Sequence, residues 1–158
     1  MKIRFSSIVL VLFCGLLWFS AHAAYAASYK PLKVVYDVAV DNTSALENVL
    51  ARASHLSIIT GADPMEGSII IVLHGPEVAF FVKDDYEVYK NIVDRAKSLS
   101  VGGIIKIMMS ELALNVRGLS SDNIPKFIKI VPFGDAEIAR LQAKDGHAYI
   151  NAGRNLAP

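Results

Sequence analysis

His74 closes the stretch Ser68-Ile69-Ile70-Ile71-Val72-Leu73 and is followed at once by Gly75-Pro76. An imidazole at that place can carry a proton, ligate a metal or add positive charge to a binding site as pH falls. Four more positions belong with it. Gly75 lies at the same strand end, where ligands gather in parallel sheets. Met108 and Met109 carry thioethers, which together with an imidazole suit Cu(I). Ser110 places a hydroxyl at the start of a short helix, beside free backbone N–H groups that favour a small anion. The same residues also have plain structural readings: a histidine that hydrogen-bonds only its own turn, and two methionines that end a buried strand. No catalytic constellation emerges. Ser110 lacks the G-x-S-x-G setting of a strained serine nucleophile, and His55, His74 and His147 lack metal-ligand spacing. Gly102-Gly103 follows a helix and precedes a strand, the reverse of a phosphate loop. Neither a resident metal nor a cofactor is expected.

The elements that hold these residues follow from the hydrophobic pattern. A short aliphatic run ending in Gly-Pro reads as a strand buried on both faces. Such strands are typical of parallel sheets covered by helices, and there ligands gather off the carboxyl ends of the strands. Upstream, the valine-rich stretch Leu32 to Val40 predicts a first strand. Ser44 and Glu47 have capping-box spacing, and Leu46, Val49, Leu50, Ala53 and Leu56 then mark the buried face of a helix. Downstream, Tyr86, Tyr89, Ile92, Val93, Ala96 and Leu99 form a second helical stripe, after Asp84 and Asp85 at its start. Ile104 to Met108 reads as the third strand, and Ser110 caps a short helix over Glu111 to Val116 that ends at Gly118. Phe127 to Val131 is the fourth strand. Asp135 is expected to cap the last helix, Gly146 to end it, and Ala148-Tyr149-Ile150 to form the last strand. Strands alternating with helices imply an α/β fold with a mostly parallel five-stranded sheet. Asp41, Asn42, Phe133, Gly134 and Asp135 then join His74 and Ser110 at the strand ends.

The chain has 158 residues, and its first part has its own logic. Lys2 and Arg4 precede an apolar run from Ile8 to Phe19, and two A-x-A sites follow, Ala21-His22-Ala23 and Ala24-Tyr25-Ala26. That is the plan of a secretory signal peptide over residues 1–26, leaving a single domain over residues 27–158 in the periplasm or outside the cell. The run is shorter than the roughly 20 residues a membrane span needs, so no membrane association is expected after cleavage. Cys14, the only cysteine, falls inside the segment removed, so the mature chain forms no disulfide and holds no thiolate metal site or persulfide. Removal takes Lys2 and Arg4 and no acid, so sixteen basic residues become fourteen against fifteen acidic ones, a net charge of −1. No basic stripe is present, which argues against a nucleic-acid partner.

Taken in order, these segments resemble the DsrE/DsrF-like (YchN-like) family. The resemblance is carried by Val34-Val35-Tyr36-Asp37, by Ile70-Ile71-Val72-Leu73-His74-Gly75-Pro76, and by Gly103-Ile104-Ile105-Lys106-Ile107-Met108-Met109-Ser110 with Leu119 downstream. It continues through Val131-Pro132-Phe133-Gly134-Asp135-Ala136-Glu137-Ile138, Leu141-Gln142 and Gly146-His147-Ala148-Tyr149-Ile150. It implies a three-layer sandwich and a homo-oligomer, a trimer or hexamer, for which Val78-Ala79-Phe80-Phe81-Val82 is the expected contact patch. Some members carry sulfur as a persulfide on a cysteine at the end of the third strand. Here that place falls on Met108, Met109 or Ser110, and neither a thioether nor a hydroxyl can take over that chemistry. The implied function is a periplasmic, non-enzymatic binding or assembly module linked to sulfur-compound metabolism, with a small anion at His74, Gly75, Met108, Met109 and Ser110. The alternatives are a sulfur-transfer protein acting without its own cysteine, and a copper-binding module using Met108, Met109 and His74.

The exported protein is expected to begin at Ala24 or Ala27. N-terminal sequencing of the soluble product checks this, and an intact Met1 would refute it.

Overall fold

The computed structural model describes residues 29–61 and 63–153; the signal segment and Cys14 lie outside them. Five strands, β1 (Lys33–Val38), β2 (Ser68–Leu73), β3 (Ile105–Ser110), β4 (Lys129–Val131) and β5 (Ala148–Asn151), form one sheet in the order β4-β3-β2-β1-β5. Every pairing is parallel. Among the described residues four α-helices accompany them: α1 (Thr43–Ile59), α2 (Tyr86–Ser100), α3 (Glu111–Asn115) and α4 (Gly134–Asp145). The fold is therefore α/β with helices on both faces, a three-layer sandwich.

Alternation along the strands sorts their side chains into two cores. Val34, Tyr36, Val38, Ile69, Ile71, Leu73, Ile105, Ile107 and Met109 pack with Leu46, Val49, Leu50 and Ala53 of α1 and Ile92, Val93 and Ala96 of α2. Val35, Ile70, Val72, Met108 and Val131 pack on the other face against Ile138 and Leu141 of α4. β2 contributes to both, which explains its unbroken aliphatic run.

Several boundaries differ from the sequence reading, each for a local reason. α1 is capped by Asn42, whose side chain accepts the Ala45 N–H at 2.8 Å, so Ser44 sits inside the first turn rather than at the cap. α4 starts at Gly134 without a side-chain cap; Asp135 lies in its first turn, and the Gly134 N–H is satisfied from outside, by Ser110. β3 starts at Ile105, after the turn made by Gly102 and Gly103 at φ of 94° and 78°, and runs on through Ser110. β4 begins only at Lys129, because the Ile128 N–H turns back to the Pro125 carbonyl at 3.0 Å.

The largest difference concerns Pro76–Phe81, a 3-10 helix. Val78, Phe80, Phe81 and Val82 are buried in the larger core, and Phe80 lies against Tyr89 at a ring separation of 4.9 Å. This segment is interior packing, so the surface patch expected there for oligomer contact does not exist. Among the described residues no helix is long and apolar enough to cross a membrane.

At the amino end of the sheet, His147 is buried between the end of α4 and the start of β2. Its Nδ1–H donates to the Leu141 carbonyl at 3.2 Å and its Nε2 accepts from the Ser68 hydroxyl at 2.7 Å. Burial pushes its pKa below the ordinary histidine value, the Leu141 contact acting against that shift. A lowered folded-state pKa means the unfolded chain binds the proton more tightly. The stabilisation is therefore complete above the unfolded value of about 6.5 and is lost as pH falls through the folded one. Denaturant midpoints are expected to drop between pH 7.5 and 5.5, and the drop is expected to be smaller in His147→Gln.

Candidate functional site

Parallel strands bring their carboxyl ends to one side of the sheet, and five elements converge there. β1 supplies Asp37, which alternates with Val35 and so faces α4. β2 runs directly into His74. β3 ends in Ser110, and α4 begins at Gly134-Asp135. β5 adds Tyr149, paired with Val35 and on the same face.

A hydrogen-bonded chain links them. The Tyr149 hydroxyl donates to Asp37 Oδ2 at 2.5 Å. The other oxygen of Asp37, Oδ1, accepts from His74 Nε2. Asp37 thereby fixes the ring orientation and places the proton on Nε2, leaving Nδ1 as the atom it does not engage. Nδ1 lies 3.6 Å from Asp135 Oδ1, an approach too long for a good hydrogen bond. The His74 and Asp37 side chains are each 22% exposed, and that of Asp135 63%, so the imidazole is held from the protein side and open on the Asp135 side.

The backbone around this chain is set by two close approaches. A Cβ on Gly134 would stand 2.7 Å from His74 Cβ, and one on Gly75 would stand 2.6 Å from both Ala39 Cα and Glu77 Oε2. Neither place admits a side chain. Glu77 itself is fully buried. Its two oxygens accept the Val40 N–H at 2.9 Å and the Gly75 N–H at 2.8 Å, which ties the loop after β1 to the loop after β2. Burial raises its pKa; the two backbone donors and the nearby His74 act in the opposite direction.

Ser110 is also buried, and its Oγ accepts the Ala113 N–H at 3.3 Å and the Gly134 N–H at 3.2 Å. It caps α3 as the sequence suggests and secures the start of α4 as well. It makes no hydrogen bond to His74, so no serine–histidine pair is assembled. Met108 shares the α4 face with His74, whereas Met109 is buried on the other face of the sheet. The two thioethers therefore diverge and cannot meet His74 around one ion. Among the described residues no group of three His, Cys, Asp or Glu side chains could hold a metal.

The sequence reading placed His74, Gly75, Met108 and Ser110 in this region but gave no role to Asp37, Tyr149 or Glu77. Asp37 interrupts an otherwise apolar strand, and Glu77 interrupts an apolar stretch beside Gly75-Pro76. A lone acid within a buried run was the available signal in both cases.

No family model and no curated protein matches the chain. Its fold is similar to that of MTH1491 from Methanobacterium thermoautotrophicum, a protein of unknown function, with a TM-score of 0.57 at 20% identity over 76% of this chain and 98% of that one. The likeness shows a shared fold and carries no activity with it.

Removing the Glu77 carboxylate leaves two buried N–H donors without acceptors, at about 1–3 kcal/mol each. Glu77→Ala is thus expected to lower unfolding free energy by about 2–6 kcal/mol, and Glu77→Gln, which keeps one acceptor, by less. Chemical denaturation of the two variants checks the order.

Proposed function

We propose that this chain is a periplasmic or secreted, non-enzymatic binding module that takes a small polar ligand at the strand ends around His74. The observation that supports this is the Tyr149–Asp37–His74 chain of hydrogen bonds, which holds one imidazole edge toward the open side beside Asp135. A group fixed this firmly needs little reordering when it meets a ligand. The link to sulfur-compound metabolism rests on the DsrE/DsrF-like resemblance, as does assembly into a trimer or hexamer. Any oligomer contact uses a surface other than residues 78–82.

The charges turn the expected ligand class round. Asp37 and Asp135 both flank His74, so an anion entering here meets two carboxylates, and the start of α4 offsets only part of their charge. A ligand that donates hydrogen bonds or carries a positive charge, such as a small primary ammonium, fits this arrangement better than sulfite, thiosulfate or phosphate.

NMR titration of ethylammonium and of thiosulfate into wild type and His74→Ala tests the reading. Ethylammonium is expected to shift the His74, Gly75, Ser110 and Gly134 resonances of wild type, and the shifts are expected to vanish in the variant. Shifts elsewhere, or equal shifts in both proteins, would overturn the site; a stronger thiosulfate response at the same residues would restore the anion. Intact mass after incubation with sulfide donors and with Cu(I) is expected to stay unchanged. A gain of one sulfur atom would establish the sulfur-transfer alternative, and a retained copper ion the metal-binding one.

A further inference from the structure

On the opposite face of the sheet, α1 and β1 enclose a groove of about 450 Å³ lined by Tyr36, Ala51, Arg52, His55, Leu56 and Ile59. Small-molecule sites commonly span about 300–1,000 Å³. Ala51, Leu56 and Ile59 make apolar walls. Tyr36 is only 2% exposed, its phenol hydroxyl makes no hydrogen bond among the described residues, and none of their buried polar atoms is left unsatisfied, so this hydroxyl keeps contact with solvent in the groove. A hydroxyl met only by water can pass its hydrogen bond to a ligand without breaking one inside the protein. The Arg52 guanidinium lies 5.8 Å from the centre of the Tyr36 ring and pairs with no carboxylate among the described residues. No acid lines the groove, and His55 stands exposed at its rim.

We propose that this groove is a binding site for an amphipathic monoanion, a carboxylate or sulfonate on a short alkyl or aromatic body. The apolar part lies along Ala51, Leu56 and Ile59. The head group takes the Arg52 guanidinium, and the Tyr36 hydroxyl supplies a second donor from the floor. Burial holds the Tyr36 pKa above its ordinary value, against the pull of Arg52, so the phenol keeps the proton it would donate. The site is separate from the His74 cluster: Tyr36 and Asp37 are neighbours in β1 but point to opposite faces of the sheet.

Two other occupants are distinguishable. Tyr29 N–H donates to the Ile59 carbonyl at 3.3 Å, which sets Tyr29 beside the groove and makes the segment before it one candidate. A second copy of the protein could also cover it.

The test uses protein purified after export from cells expressing the full sequence, titrated below micelle concentrations with decanoate, decanol and decyltrimethylammonium. Decanoate is expected to shift the amide resonances of Ala51, Arg52, His55, Leu56 and Ile59, with decyltrimethylammonium binding at least about tenfold more weakly. Arg52→Ala is expected to weaken decanoate about tenfold while leaving decanol unchanged. Tyr36→Phe keeps the ring and its packing. It is expected to weaken decanoate several-fold without lowering the melting temperature, since the lost hydroxyl meets only solvent among the described residues. Equal binding of the three probes, shifts outside the groove, or unchanged decanoate affinity in Arg52→Ala would overturn the proposal. So would groove shifts that follow protein concentration alone, which would assign the face to a second copy. Binding that appears only when residues before Tyr29 are removed would overturn it too, and would assign the groove to that segment.

Discussion

The carboxylate of Glu77 is the constraint on which the rest of the site depends. It is an acid with no exposed surface, and an isolated buried charge is among the most costly features a fold can contain. Here each oxygen accepts a backbone N–H, one from Val40 and one from Gly75. The two donors belong to loops that leave β1 just after Asp37 and Val38, and β2 just after His74. Binding both to one carboxylate sets the distance between those loops, and with it the pairing of Asp37 with His74. Gly75 must be glycine because Glu77 and Ala39 already occupy the space of a Cβ. Gly134 meets the same condition from α4, against His74. The imidazole is thus positioned by three independent contacts: a hydrogen bond to Asp37, the packed backbone of Gly134, and the clamp below Gly75.

The general architecture was legible because burial writes directly into sequence. The aliphatic run Ile69–Leu73 can only be a strand covered on both sides, and the 3.6-residue recurrence in Leu46, Val49, Leu50 and Ala53 can only face one core. Ser110 as a cap and Gly146 as a helix end follow from local backbone chemistry in the same way. What was not legible depended on tertiary partners. Asn42 and Ser44 have equal claims as caps until the backbone chooses between them. Asp135 looks like a cap until Ser110, far away in sequence, takes the Gly134 N–H. The segment Val78–Val82 has the composition of a surface patch or of a core, and only its packing against Tyr89 and the larger core decides. In the site, His74 was visible by type and place. Its partners Asp37 and Tyr149 were not, because they reach it only through the pairing of β1 with β2 and β5.

Strand alternation also separates the two methionines more sharply than their adjacency suggests. One position along β3 moves a side chain through the full thickness of the sheet, from the layer under α4 to the layer under α1 and α2. Proposals that treat neighbouring strand residues as one cluster fail on that geometry alone. The same rule separates Asp37 from Tyr36 and gives this sheet two chemically unlike faces, one acidic and hydrogen-bonded near α4, the other apolar near α1 with a cation, Arg52, that has no carboxylate partner among the described residues.

The position of β5 beside β1 has a temporal meaning. The last of the described strands pairs with the first of them, and Tyr149 reaches Asp37 across 112 residues of sequence. Contacts that span so much chain form late, because their loop closure must be met before they stabilise anything. A nascent chain can build β1 to β3 with α1 and α2 while its C-terminal part is still being made, since those elements follow one another in space as in sequence. The Tyr149–Asp37–His74 chain is complete only when β5 arrives. A chain truncated before Ala148 would keep most of its larger core and lose the finished site, so possession of a complete site reports that synthesis has passed β5.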